Sequence, residues 1–385
     1  NESHAARQWP NPVISAPCER ESNPRLDARI SELIEFVVPG LPSCTSVLLR
    51  LLPLAENATL TKEELNKLAI KLWGEKPDYK TLPNTGLYSH ALLTLPAIDR
   101  SEANALMSSL LFDTEDALFF SSVHLSGVTG AAASKPNPLL PNSEQAAKCF
   151  DRLVVWRPSR EDDDQLGMRS REKNSLIKDI SEALSYSITP SLNPDDITKQ
   201  RFEKVLAFCT DVGAFPSIIA LTYFTGLNTE IETIVEKAIR KGMQGRTAHE
   251  VGCSAHALYK WKELAAAGKA PLPPDNLLSK MIYLIESGRS VGLHSLLEYA
   301  GEMLKKNWLS PADVSVLADC VPDLFDAADY SNIRPSSKEA VTASLIREVC
   351  IKLAGNLMNV VPHEKLKAMI EAAKDDALPE VRFAG

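Results

Sequence analysis

The stretch that decides the fold class is residues 293–311, LHSLLEYAGEMLKKNWLSP. Its apolar residues recur three and four positions apart, which places them on one face of an α-helix. They are Leu293, Leu296, Leu297, Ala300, Met303 and Leu304. Ser310 and Pro311 then supply an N-cap residue and a proline suited to the first helical turn. The stretch therefore predicts two consecutive helices joined by a short connection.

The same helical periodicity extends over most of the chain. It recurs at 26–37, 65–72, 202–209, 231–239 and 345–357. Asn193 and Pro194 are expected to cap the helix that carries Phe202 and Cys209. Aromatic residues make up only 6% of the chain, which favours helices over a sheet-rich fold. We therefore predict an all-α protein with roughly a dozen to sixteen helices.

Composition shifts divide the predicted helices into domains. A flexible segment at 1–20 is followed by a helical domain at 21–158 with a long loop at 121–142. A charged linker at 159–171, which contains four consecutive acidic residues, marks the domain boundary. Residues 172–385 form the predicted helical-repeat domain, in which the proline-rich stretch 271–274 separates two repeats.

Charge, cysteines and hydropathy exclude several classes of protein. The 42 basic and 50 acidic residues leave a net charge of −8, which argues against a surface that binds nucleic acid nonspecifically. The seven cysteines include no Cys-x-x-Cys pair, so neither a disulfide framework nor a zinc ribbon is predicted. A reducing cytoplasm is the expected location. No apolar stretch is long enough to span a bilayer, so no membrane partner is expected.

The last residues of the sequence are similar to one turn of a HEAT repeat. Leu366, Met369 and Ile370 line a helical face, Asp375 and Asp376 end that helix, and residues 379–382 read Pro-Glu-Val-Arg. HEAT repeats have an aspartate-containing loop that leads into such a Pro-Glu-Val-Arg helix. The resemblance implies an α-solenoid of helix pairs whose surface binds another protein. Because the second helix stops early and the chain starts with Asn1, we expect a fragment of a longer protein.

A second resemblance concerns the N-terminal half. Residues 60–73, 82–88 (LPNTGLY) and 91–96 (ALLTLP) resemble a segment in the C-terminal helical regions of large bacterial anti-phage proteins. In those proteins, helical repeats that sense a phage component follow an effector module. The resemblance implies that this chain is the sensing portion of an antiviral defence protein. The simpler interpretation is two amphipathic helices joined by a turn.

A basic segment at 240–269 offers a different function. Residues 245–261, GRTAHEVGCSAHALYKW, resemble a helix-turn-helix of transposase type, and six Lys or Arg side chains stand against two Glu in the segment. A DNA-associated role through Arg246, Lys260 and Lys262 is therefore an alternative. The helix expected between Thr247 and Gly252 is little more than one turn long, which is too short to support a recognition helix. A helix-loop-helix with Leu258 and Trp261 in the core is the simpler interpretation.

Metal and catalytic chemistry have weak support in the sequence. His249, Cys253 and His256 would share one face of a continuous helix, as zinc ligands do. Gly252 and Ser254 predict that the helix is interrupted there, and no fourth ligand is near. We therefore expect no metal and no cofactor, and no catalytic motif is present.

The sequence as a whole favours a non-catalytic helical-repeat scaffold or sensor that binds another protein. An enzyme whose site is assembled from distant residues is the remaining alternative.

Overall fold

The computed structural model describes residues 143–157, 170–328 and 338–384. These residues form twelve α-helices and no strand, which confirms the all-α prediction for this part of the chain. The helices are α1 (Ser143–Leu153), α2 (Ser170–Ala183), α3 (Lys199–Val212), α4 (Ser217–Thr222), α5 (Thr229–Met243), α6 (Ala248–Ala266), α7 (Asp275–Glu286), α8 (Leu293–Lys305), α9 (Pro311–Ala327), α10 (Lys338–Met358), α11 (Glu364–Ala373) and α12 (Pro379–Arg382).

Polar side chains cap the N-termini of α3, α5, α6 and α9. Ser310 and Asp313 form a reciprocal capping box at α9, so the helix predicted to begin at Pro311 does begin there. Asn193 and Pro194 were expected to start the helix that carries Phe202, but they start only a 3-10 turn, Pro194–Asp196. α3 begins five residues later with Thr198 as its N-cap, because the Thr198 side chain accepts a hydrogen bond from the Arg201 amide.

Alternate helices pack against one another in two rows. In the even row, α4 contacts α6, α6 contacts α8, α8 contacts α10, and α10 contacts α12. In the odd row, α5 contacts α7, α7 contacts α9, and α9 contacts α11. The rows are joined by contacts between sequence neighbours such as α5 with α6, α7 with α8, and α9 with α10. Irregular helical domains also contain such contacts, so the HEAT-like solenoid stays a prediction.

Large apolar side chains fill the space between these helices. Full burial of one such side chain stabilises a fold by about 1.5–3 kcal/mol. Trp261 on α6 also donates a hydrogen bond from its indole Nε1 to the carbonyl oxygen of Pro271, at 3.0 Å. This bond holds the proline-rich connection at 271–274 against α6. The largest fully buried side chains are Trp261, Phe150, Phe202, Phe208 and Phe224.

A π-helical turn, Leu184–Ile188, follows α2 directly and contacts α1, α2 and α4. The α-helical pattern cannot continue far beyond it because Pro190 has no amide hydrogen to donate. A 3-10 turn, Thr189–Ser191, takes over at that point. The π-turn places Tyr186 at its centre, beside the helices of the even row that carry the candidate pocket.

A network of charged groups connects α9, α10 and the loop before α12. The Arg347 guanidinium lies 3.7 Å from the centre of the Phe325 ring and donates to the Phe325 carbonyl at 2.9 Å. It also pairs with Asp376, whose carboxylate accepts from the Leu378 amide at 2.9 Å. Arg382 donates to the Asp376 carbonyl oxygen. We call these five residues the C-terminal joint, and they explain why an aspartate precedes the Pro-Glu-Val-Arg turn.

Several predictions made above lie outside the described residues. These are the flexible segment at 1–20, the loop at 121–142, the resemblance at 60–96 and most of the linker at 159–171. α1, which ends the predicted first domain, packs on the π-turn, and Arg201 of α3 pairs with Asp151 of α1 at 3.0 Å. None of the described helices combines the length and the apolarity needed to cross a membrane.

Candidate binding pocket

The segment at 248–266 forms one uninterrupted helix, α6. The break expected at Gly252 and Ser254 is therefore wrong. Gly252 lies where α8 approaches α6, and a Cβ atom added to it would stand 3.0 Å from the Ser295 hydroxyl oxygen. Ser254 keeps its hydroxyl within the helix by donating to the Glu250 carbonyl at 2.9 Å. Both residues serve close packing of helices rather than a turn.

Because α6 is continuous, the segment contains no turn between two helices, as a helix-turn-helix would require. Arg246 precedes the first residue of α6, whereas Lys260 and Lys262 lie near its C-terminal end. At 1.5 Å per residue, the two lysines are about 20 Å from Arg246 along the helix axis. The Lys260 ammonium pairs with Glu263. Burial lowers the pKa of Lys262. The structure therefore does not gather the three residues into one basic patch.

His249, Cys253 and His256 do share one face of α6, as a continuous helix requires. The Cys253 sulfur lies 3.8 Å from Nε2 of His249, while the His256 ring packs against tyrosines. No group of three His, Cys, Asp or Glu side chains suited to a metal ion occurs in the part of the chain that the structure describes. The three residues instead line one wall of a pocket.

This pocket lies between the π-turn, α6 and α8 and has a volume of about 270 Å³. α8 supplies residues separated by one helical turn, so that their side chains face α6 together. Tyr186 lines the pocket from the π-turn. The lining residues are Tyr186, Ala248, His249, Gly252, Cys253, His256, His294, Ser295, Glu298 and Tyr299.

Three rings form a stack along the pocket wall. The His256 ring lies between Tyr186 and Tyr299, with ring centres 5.5 and 5.0 Å away and interplanar angles of 25° and 19°. The Tyr186 hydroxyl is 3.4 Å from Nδ1 of His256. Tyr259 and Trp308 extend the aromatic cluster beyond Tyr299. The ring centre of Tyr259 lies 5.8 Å from that of Tyr299, and the ring centre of Trp308 lies 5.5 Å from that of Tyr259. Side chains from the π-turn, α6, α8 and the connection after α8 thus build one aromatic cluster.

The polar groups of the stack are neutral near pH 7. Burial lowers the pKa of His256 to about 4, with a smaller contribution from the Lys260 charge. Burial also lowers the pKa of His249 and raises the pKa of the Tyr186 and Tyr299 hydroxyls. The imidazoles are therefore unprotonated, so each ring has one nitrogen that can accept a hydrogen bond, and Nδ1 of His256 already lies against the Tyr186 hydroxyl.

Cys253 is not activated as a nucleophile. Burial, with a smaller contribution from the nearby Glu182 carboxylate, raises the pKa of its thiol to about 12. A thiol rather than a thiolate is therefore present, and the thiolate is the reactive form. On α8 the Ser295 hydroxyl lies 3.1 Å from Nε2 of the adjacent His294. No described carboxylate hydrogen-bonds that imidazole, as a nucleophilic triad would require.

Glu298 is the charged residue of the pocket. Its side chain is exposed, and no Lys or Arg is among the described lining residues. The neighbouring charges form pairs of their own: Lys178 with Glu182 at 3.5 Å and Lys305 with Glu302 at 2.7 Å. The pocket therefore combines a net negative charge with aromatic walls.

No protein-family model matches the chain, and no curated protein matches it either. The pocket is therefore interpreted from its own geometry.

Sequence reasoning found only the α6 wall of the pocket. Tyr186, His294, Glu298 and Tyr299 were not predicted as site residues. The signal within α8 is the polar pair His294 and Glu298, spaced by four residues opposite the apolar face. Nothing in the local sequence connects that pair to Tyr186.

Proposed function

We propose that the chain is a non-catalytic recognition module that binds a segment of a partner protein in the pocket between the π-turn, α6 and α8. The observation that carries the proposal is the aromatic pocket itself. Ligand sites are typically concave, aromatic-lined and supplied with a few convergent polar groups. The ring stack, the two neutral histidines and the Glu298 carboxylate match that description.

Binding accounts for the chemistry of the lining better than catalysis does. A general base works best with a pKa near the working pH, whereas His256 has a pKa of about 4 and its ring is held on both faces. The Cys253 thiol is protonated. Groups that stay neutral and fixed are suited to holding a ligand by stacking and hydrogen bonding.

The arrangement of helices supports a repeat-type binding protein. Stacked helix pairs present an extended surface on which partners lie, and residues of α6 and α8, two neighbours in the even row, meet at the pocket. We further propose that the repeats are HEAT-like. The resemblance of residues 60–96 to anti-phage proteins supports a role as the sensing portion of a bacterial defence protein.

The alternative function, DNA binding, can be tested separately. Binding to DNA through Arg246, Lys260 and Lys262 would weaken steeply as salt rises and would be lost when all three are changed to Ala. The separation of these residues along α6 gives that alternative no geometric support.

The proposed function is tested by selecting peptides from a random displayed library against the full chain. Selected peptides are expected to lose about tenfold or more in affinity when Tyr299→Leu removes one ring of the stack. Tyr283→Leu is the matched control, because Tyr283 is an exposed tyrosine of the odd row. Peptides that bind both variants as well as the original protein, or a selection that yields no peptide, would contradict the proposal.

A further inference from the structure

We propose that the pocket binds the guanidinium group of an arginine side chain carried by the partner segment. The inference rests on the proposed function, because it names the chemistry of the segment that the pocket would recognise. Its basis is a combination of aromatic walls, hydrogen-bond acceptors and an uncompensated carboxylate.

The charge of the pocket favours a cation. Glu298 contributes one negative charge. The cations that lie nearest to the lining each have an acidic partner: Lys178 pairs with Glu182, and Lys260 pairs with Glu263. A bound cation would therefore face a net charge of the opposite sign, which strengthens its hydrogen bonds to the carboxylate.

The acceptors of the pocket match a ligand that donates several hydrogen bonds. His249 and His256 are unprotonated near pH 7, and the Tyr299 hydroxyl has no hydrogen-bond partner in the described part of the chain. A guanidinium group presents five N–H donors in a plane and also stacks on aromatic rings. A lysine ammonium has three donors and no plane, and it matches the stacked walls less well.

The protein holds three of its own arginines with an aromatic ring, a carboxylate and a further hydrogen-bond acceptor. In three places a guanidinium lies against a phenylalanine ring, pairs with an aspartate and donates to a backbone carbonyl. The pocket has rings and a carboxylate but no arginine of the described chain. The three sets are Arg157 with Phe208 and Asp211, Arg201 with Phe150 and Asp151, and Arg347 with Phe325 and Asp376.

The test uses three blocked tripeptides: Gly-Arg-Gly, its lysine counterpart Gly-Lys-Gly, and its citrulline analogue, which has nearly the same shape as the arginine peptide without the charge. Each is titrated into the full chain, and the NMR signals of labelled tyrosine and histidine rings report binding at Tyr186, His256 and Tyr299. We expect the arginine peptide to bind about tenfold or more tightly than the citrulline peptide, because it adds charge-assisted hydrogen bonds. We expect the lysine peptide to bind between the two.

Glu298→Gln is expected to abolish the preference for arginine over citrulline. Glu364→Gln, which neutralises an exposed carboxylate at the start of α11, should leave it unchanged. Equal binding of arginine and citrulline peptides would overturn the inference while leaving peptide binding itself standing. Equal affinity for the lysine and arginine peptides would contradict the proposed role of the planar guanidinium group. If no peptide moves the ring signals, the arginine inference fails, and the library selection alone decides the proposed function.

Discussion

The C-terminal joint and the pocket are made of similar groups but use them differently. At the joint the Arg347 guanidinium rests on Phe325 and pairs with Asp376, so ring, carboxylate and cation all belong to the chain. At the pocket the rings and the Glu298 carboxylate are present, and no Lys or Arg of the described residues lines it. A polar group whose partner lies within the chain stabilises the fold, whereas one without such a partner is open to a ligand. Variants of the joint should therefore change the stability of the fold, whereas variants of the pocket should change ligand binding.

The largest expected effect is on stability at the joint. Arg347→Met should lower the free energy of unfolding by about 3–5 kcal/mol, because it leaves the buried Asp376 carboxylate without its cation. Urea denaturation followed by circular dichroism measures the change. Arg240→Met is the control, since Arg240 forms a half-exposed pair with Glu236 within α5 and should cost at most about 0.5 kcal/mol. Equal losses in the two variants would show that burial of the joint is not what matters.

The joint and the pocket also differ in how far the sequence predicts them. Arg347 and Phe325 reach the joint from α10 and α9, but its aspartate and the Pro-Glu-Val-Arg turn lie within seven residues of one another, and a loop carboxylate before a helix is a local sequence signal. The helical periodicity that predicts the all-α fold is equally local. The pocket joins residues 186, 256 and 299, and no periodicity indicates which helices become neighbours in space.

Gly252 shows why part of the prediction for α6 was wrong. A glycine inside a helical pattern is a common sign of a turn, since glycine lowers helix stability by about 1 kcal/mol relative to alanine. The same absence of a side chain permits close contact between helices. Only the position of Ser295 across from Gly252 distinguishes the two, and that position depends on tertiary structure.

The second prediction concerns His256 and the pH dependence of stability. Its pKa is about 4 in the folded protein and about 6.5 when exposed, so the unfolded state binds the proton first as pH falls. Stability should be unaffected by this group above about pH 6.5 and should decrease from there to about pH 4, by at most about 3 kcal/mol.

The predicted loss of stability at lower pH is measured by urea denaturation at a series of pH values, on the original protein and on His256→Phe. The phenylalanine variant keeps a ring between Tyr186 and Tyr299 but has no group to protonate. Its stability should fall less between pH 6.5 and pH 4 than that of the original protein. Parallel curves would mean that other groups, such as the carboxylates of the joint, account for the whole acid response.

A third, smaller effect is expected where α6 meets the start of α8. Gly292 has a φ of +72°, and an added Cβ atom would lie 2.6 Å from Cβ of Val251. Gly292→Ala should therefore cost about 1–3 kcal/mol through backbone strain and overlap. Gly355→Ala in α10 is the opposite case, because no atom of another described residue lies within 4 Å of its added Cβ. It should raise stability by about 0.5–1 kcal/mol. Destabilisation by both changes would contradict this interpretation of the α6–α8 contact.

The smallest effect on stability is expected at Glu298, where the contrast with Arg347 is sharpest. Glu298→Gln should change the free energy of unfolding by no more than about 0.5 kcal/mol, since the exposed carboxylate has no ion-pair partner in the described part of the chain. Denaturation in urea without any peptide measures this. A loss as large as that of Arg347→Met would mean that Glu298 supports the fold, and its charge would then be unavailable to a ligand. Unchanged stability together with lost arginine binding would place Glu298 in recognition, which is the role that its exposure at the pocket predicts.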